Sequence, residues 1–202
     1  MPSVIVNVVV VFALFVIILI ALIWNRIRAL ELVEIHGETP PPHVADIEAL
    51  GFDRLGDYTV AGQRVTTFLG PGGESWAIAN WSTKSLVLAL ASIGQGKKLE
   101  TVAISRETRD ANVFVQYGAA SPAEAIEWHR SLINAAREIA FAPDRLTHDQ
   151  ARLEIQKSHD EFDGSIIHAA RIALRLITRR HVGVKGPVDS TAAELRSFFS
   201  SS

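Results

Sequence analysis

From Val4 to Trp24 the chain carries no charged side chain. At about 1.5 Å of rise per helical residue, a run of that length spans the roughly 30 Å hydrocarbon core of a bilayer. Its one strongly polar member, Asn7, lies near one end, where water or headgroups satisfy it. Trp24 lies at the other end, where an interfacial tryptophan belongs. A cleaved signal needs a basic leader, a shorter apolar core and a small-x-small cleavage site. Met1 to Ser3 has no basic side chain, and the exit "IWNRIRALE" places bulky residues and arginines where cleavage would occur. The reading is a retained, single-pass transmembrane helix over 4–24 behind a short N-terminus, 1–3.

Arg26 and Arg28 follow the span, and no Lys or Arg precedes it. The positive-inside rule then places the C-terminal part in the cytoplasm, on the inner face of the cell inner membrane. Lipid is thus the first expected partner, through this helix. The chain has no cysteine, which excludes disulfides, cysteine metal sites and thiol chemistry. Its net charge of −2 gives no global electrostatic case for nucleic acid.

Behind the span, Arg26 to Ile35 continues the helix until Gly37 and the run Thr39–Pro42 stop it, so 25–42 reads as a juxtamembrane helix and proline-rich linker. "HVADIEALGF" reads as a short helix with Val44, Ile47 and Leu50 on one face and Gly51 as its stop. The period then changes. "YTVAGQRVTTFLG", "SWAIANW", "SLVLALASI", "LETVAIS" and "NVFVQYG" are β-prone runs separated by glycine-containing turns. In "SPAEAIEWHR", Ser121 is an N-cap, Pro122 suits the first helical position and Glu124 completes a capping box. That helix is expected to reach about Phe141, with Trp128, Leu132, Ala135 and Ile139 as its covering stripe and Ile126 and Ile133 beside it. Thr147 and Gln150 cap a second helix, and a third is expected from Ser165 to His181. The fold class is α+β. It comprises an N-terminal transmembrane helix, an antiparallel β-meander of five or six strands packed by a helix (43–142), helices over 143–182, and a flexible tail, 183–202, whose Phe198 and Phe199 are able to dock.

Leu50, Gly51, Phe52, Leu55, Gly56 and Tyr58 form an LGF-x-x-LG-x-Y entry, and Ser121, Pro122, Glu124 and His129 form a capped helix carrying a histidine. This half of the chain resembles a module of uncharacterised bacterial membrane-anchored proteins. The resemblance implies a β-meander followed by a helix, and it carries no assigned activity.

Seven histidines invite a metal or catalytic reading. His148 and His159 are three helical turns apart, too far to share one ion. Asp160 and Asp163 match no known ligand spacing. His129, a lone histidine beside Trp128, faces solvent or caps the sheet rather than serving a visible nucleophile. "GPGGE" precedes a strand, not a helix, so it reads as a turn rather than a phosphate cradle. No nucleophile elbow, zincin motif or EF-hand loop occurs, so no catalytic residue and no cofactor or metal is assigned.

Arg171, Arg175 and Arg179 recur at helical spacing, with Arg180 beside them and Ile167, Leu174 and Ile177 opposite. Such a basic amphipathic helix is a solvated face, a contact for anionic lipid, or a surface for a protein partner. The sequence points to a membrane-anchored, non-enzymatic interaction or accessory subunit of a larger membrane complex. A second reading is an anchored small-molecule sensor, with Trp76, Trp81 and Trp128 lining a pocket. A third, more remote, is a hydrolase of unknown type.

Overall fold

The structure is a computed structural model that describes residues 2–27, 32–60, 62–82, 88–103, 113–160, 170, 183–187 and 192–200, without the side chains of 2–9, 25–27, 158–160 and 183. It is an α+β fold built on one mixed sheet. Helix α1, Pro2–Ile27, leads into a two-residue strand β1, Val33–Glu34, and helix α2, Pro42–Ala49. Strands β2 (Asp53–Val60), β3 (Gln63–Leu69), β4 (Trp76–Asn80), β5 (Leu88–Gly94), β6 (Lys97–Ala103) and β7 (Val113–Ala119) precede helix α3, Pro122–Arg137. Helix α4, His148–Asp160, strand β8, Gly183–Lys185, and helix α5, Ala192–Ser200, complete the described elements.

The eight strands lie side by side in chain order. Pairing is antiparallel from β1 to β6 and parallel from β6 to β7 and from β7 to β8. The sheet is therefore larger than the five or six strands expected, and it is not a pure meander. The difference has a physical cause. Strands β6 and β7 are buried on both faces, and a two-sided burial erases the polar alternation that marks an antiparallel hairpin. The connection 104–112 lies outside the described residues.

Two layers of helix cover the sheet. On one face, α2 and α3 close over Phe68, Ala77, Ala79, Leu88, Leu90 and Ala103 through Val44, Ile47, Ala125 and Ile126. On the other, Ala151 and Ile155 of α4 pack on Leu55, Leu69, Trp76 and Ala91. The chain crosses between the two faces over one end of the sheet. There the Asp144 N–H donates to Ile93 O (2.8 Å) and the Leu146 N–H to Gly73 O (2.8 Å). The crossing runs so close that a Cβ on Gly94 would overlap the carbonyl oxygen of Ala142, and one on Gly73 that of Leu146. The "GPGGE" turn is thus the floor under this crossing, and Gly73 also holds φ +74.

Both caps expected from the sequence form. Ser121 Oγ accepts from Glu124 N (3.2 Å), and the Glu124 carboxylate accepts from the N–H of Ala120 (2.6 Å) rather than from that of Ser121. Thr147 and Gln150 cap each other reciprocally. Helix α3 ends at Arg137, four residues before the expected Phe141. Ala140 turns left-handed (φ 71), its N–H bonding to Arg137 O (3.1 Å) while that of Phe141 reaches back to Ala136 O (3.0 Å). This Schellman-type closure buries Phe141.

Three boundaries differ from expectation. Strand β1 falls inside the stretch read as juxtamembrane helix and linker, 25–42, because Val33 pairs with Thr59 and Glu34 with Tyr58. Leu50, expected on the buried face of α2, is exposed because the helix has already ended at Ala49. The region read as a flexible tail, 183–202, holds β8 and a docked α5. Leu195 is buried, Phe198 packs at a tilt against Phe114 (5.7 Å between centroids) and Phe199 against Phe141 (5.5 Å). Lys97 clamps this helix, its ammonium 4.7 and 4.9 Å from the two rings and donating to Phe198 O (2.9 Å).

Helix α1 contains the apolar run from Val4 to Trp24. Its described side chains cover 10–24, and Val11, Phe12, Phe15, Ile17, Ile18 and Leu22 are more than half exposed. Among the described residues, no helix is long and apolar enough to cross a membrane.

Candidate functional site

The face of the sheet under α3 carries a buried polar chain. Ser92 lies on β5, Thr101 on β6, Gln116 on β7 and His129 on α3, and none is more than 2% exposed. The sheet register sets Leu90, Thr101 and Gln116 side by side, with Ser92 two residues along β5 from Leu90. His129 Nε2 is 3.0 Å from Ser92 Oγ, and Nδ1 is 3.0 Å from Thr101 Oγ1. Thr101 donates to Gln116 Oε1 (3.3 Å), and Gln116 Nε2 donates to Gly186 O (2.7 Å).

The order of protons along this chain follows from its far end. The carbonyl of Gly186 takes the Gln116 NH2 group, so Gln116 presents its oxygen to Thr101. Thr101 spends its hydroxyl proton there and must accept from His129, which places the imidazole proton on Nδ1. Nε2 is then an acceptor, and Ser92 donates to it. His129 is neutral, its pKa lowered to about 3 because burial disfavours the charged ring. The reading of His129 as a solvent-facing or sheet-capping side chain is corrected. The helix turns it inward, between Ile126 and Leu132, because its neighbours on that face are apolar.

A serine hydroxyl donating to a neutral imidazole is the polarity that a nucleophile–base pair uses. Here the third member is a threonine rather than a carboxylate, and Ser92 itself is 1% exposed. The chain therefore ties three strands and a helix together with every hydrogen bond made inside the protein.

Beside it lies a cavity of about 330 Å³, walled by Phe52, Leu90, Ile126 and Ile133, with His129 at its inner surface and Glu74 and Arg130 at its rim. Glu74 is engaged by Arg137 (2.5 Å) and Arg145 (3.8 Å). A second cavity, also about 330 Å³, separates α4 from β1–β3 and is lined by Leu32, Tyr58, Thr67, Arg152 and Leu153 among others. Burial raises the pKa of the Tyr58 phenol there, against the lowering effect of Arg152. Arg152 donates to Leu55 O (2.6 Å).

The three tryptophans proposed as pocket liners are not brought together. Trp76 lies on the α4 face, beneath the Lys98 ammonium (4.7 Å), which pairs with buried Glu100 (3.0 Å). Trp81 and Trp128 pack, half-buried, on the cluster of the opposite face. Neither cavity is lined by any of them. Trp81 Nε1 donates to Thr66 Oγ1 (2.9 Å), Thr66 donates to Asp57 (2.7 Å), and Arg54 pairs with Asp57. Val4, Arg26, Arg28 and the basic stripe Arg171, Arg175, Arg179 and Arg180 lie outside the side chains described, as do His159, Asp160 and Asp163. Among the described residues, no three His, Asp or Glu side chains gather as a metal site.

The structure gives Phe52, Leu55, Gly56, Tyr58, Ser121, Glu124 and His129 structural duties, while Leu50 is exposed. Phe52 and Leu55 are buried on opposite faces, the Tyr58 ring lies over Gly56, and His129 joins the core. No family model matches the chain, and neither a curated protein nor a solved structure does.

Proposed function

We propose that this chain is a membrane-anchored, non-enzymatic interaction or accessory subunit. In this reading 4–24 is the single-pass anchor in the inner membrane, and the α+β domain stands on the cytoplasmic side, where Arg26 and Arg28 place it. The observation that carries the reading is the outward apolar surface of α1, where Val11, Phe12, Phe15, Ile17, Ile18 and Leu22 are open while the sheet has its own helices on both faces. An apolar surface of that kind is stable in lipid or against another protein, and costly in water. The absence of any charged side chain back to Val4 favours lipid. The basic stripe over 171–180 offers a second contact, with headgroups or with the partner chain.

The polar chain of Ser92, His129, Thr101 and Gln116 is turned inward and bonded within the protein, which favours a binding role over a catalytic one. A second reading, an anchored small-molecule sensor, is favoured by the cavity under α3, whose size suits a compact ligand with an apolar body. Carbonate-washed membranes and a purification in mild detergent separate these readings. Retention on membranes with a stoichiometric partner supports the first. A monomer that retains a small molecule supports the second, and release into the carbonate supernatant overturns both.

A further inference from the structure

We propose that the end of the sheet carrying the β2–β3 hairpin, Arg64 and Trp81 rests on the headgroup layer of the bilayer, and that the end carrying Gly73 and Gly94 points away from it. The inference rests on the anchored reading of α1 and adds the attitude of the domain. It follows from chain continuity. Helix α1 ends at Ile27 and β1 begins at Val33. An extended chain covers at most about 3.6 Å per residue, so the five residues between them reach roughly 20 Å. Val33 is already part of the sheet, paired with Thr59, and the Ile35 N–H donates to Asp57 O (2.9 Å).

Thr59 stands one residue from the end of β2, next to the hairpin that returns through Gln63 and Arg64. The anchor therefore feeds into the sheet at its hairpin end, and β1 runs away from that end. The register carries the same end across the sheet. Arg64 pairs with Thr59, Val65 with Asn80, Ala79 with Leu88, and Ala103 with Ala119. Trp81 and the first turn of α3 lie there too. The opposite end holds Asp53, Gly73, the Gln95–Gly96 turn and Asp144. At about 3.4 Å per residue, a seven-residue strand sets the two ends roughly 24 Å apart.

The near end also suits a headgroup layer chemically. The Arg64 guanidinium lies 5.6 Å from the Trp81 ring centroid, paired with Glu38 (2.8 Å) and half exposed. A tryptophan with an arginine over its face is stable at the depth where apolar tails give way to phosphates.

Absence of native cysteine allows the full chain to be labelled at single introduced sites. Gln63→Cys and Ala123→Cys report the near end, and Asp144→Cys the far end. Each dye-labelled chain is reconstituted into phosphatidylcholine vesicles containing a headgroup-spin-labelled phospholipid and is first floated on a density gradient. The expected result is flotation of all three, with loss of fluorescence at 63 and 123 and none at 144. Gln63 gives up one side-chain hydrogen bond, from Asn80 Nδ2, so the exposed Ala123 carries the test where Gln63→Cys does not fold. Chains that float but are quenched equally, or more strongly at 144, overturn the attitude and leave the anchor standing. Chains that stay at the bottom of the gradient overturn the anchor, and the attitude with it.

Discussion

Ser92 of β5 donates its hydroxyl proton to Nε2 of His129 across 3.0 Å, and the direction of that bond is set from the far side of the ring, where Thr101 accepts from Nδ1. Both hydroxyls and the imidazole are buried, so the arrangement holds only while the ring is neutral. Protonation would place a second N–H against Ser92 and a charge in a buried region where, among the described residues, no carboxylate offsets it.

The pH dependence follows with a definite sign. His129 keeps its proton off down to about pH 3 in the folded chain, whereas the unfolded chain takes one up near 6.5. The unfolded state therefore binds more protons between these values, and stability falls as pH falls through that window. The slope contributed by one such group approaches about 1.4 kcal/mol per pH unit. We expect the denaturation midpoint of the chain to drop from pH 7 to pH 5, before most carboxylates titrate. His129→Gln is expected to be less stable at pH 7 but to lose less on acidification. Equal slopes for parent and variant would show that the ring is not buried neutral.

The crossing from α3 to α4 is set by two glycines. A methyl group on Gly94 would meet the Ala142 carbonyl, which belongs to backbone held by the Asp144–Ile93 bond. That carbonyl has no flexible end to give, so Gly94→Ala is expected to cost about 1–3 kcal/mol, the usual cost of overpacking. The control is Ala123→Ser, exposed on the first turn of helix α3, which should stay within about 0.5 kcal/mol. Urea midpoints of the two variants decide the matter, and a wild-type midpoint for Gly94→Ala would mean that the crossing is loose.

Ala140 is a residue in a glycine's position. Its φ of 71 costs an L-side chain roughly 1 kcal/mol that glycine does not bear. Ala140→Gly should therefore raise stability by several tenths to about 1 kcal/mol, an unusual sign for a substitution that removes a methyl group. A lowered midpoint would mean that the methyl group packs more usefully than the backbone strains.

The sequence reveals features whose cause is local. The Ser121 and Thr147 caps form because their partners sit three residues away, and the β-prone runs from Tyr58 to Gly94 become strands because their turn residues punctuate them. It hides features whose cause is distant. Parallel pairing of β6 with β7 depends on which neighbour each strand finds, and their apolar runs read alike in either direction. On α3 the expected Leu132, Ile126 and Ile133 are buried, whereas Ala125, His129 and Ala136 take the centre of the stripe and Trp128, Ala135 and, past the helix end, Ile139 lie partly buried at its side, because a histidine reads as polar until Ser92 and Thr101 are found beneath it. Docking of α5 rests on Phe114, Phe141 and Lys97, which lie 57 or more residues away from Phe198 in the chain, so the local pattern of a serine-rich terminus points to a loose tail.

The place where the domain begins gives the last test. Proline-rich 39–42 invites a cut there, but β1 lies ahead of it, and Leu32 packs on the cluster beneath α4. Removing residues up to 39 would strip the edge from β2, leaving its N–H and C=O groups open to another sheet. It would also uncover Leu55 and the wall of the cavity lined by Tyr58 and Arg152. Two forms without α1, one starting at Leu32 and one at Pro40, should therefore differ. The longer is expected to be monomeric by size-exclusion chromatography with multi-angle light scattering. The shorter is expected to have a lower denaturation midpoint and to form concentration-dependent oligomers through β2. If the two forms share one midpoint and both remain monomeric, β1 is a passive lead-in, and the segment from Ile27 to Pro42 is a tether after all. If the shorter form alone associates, and a peptide spanning 32–38 reverses it, the edge strand is what seals the sheet at β2.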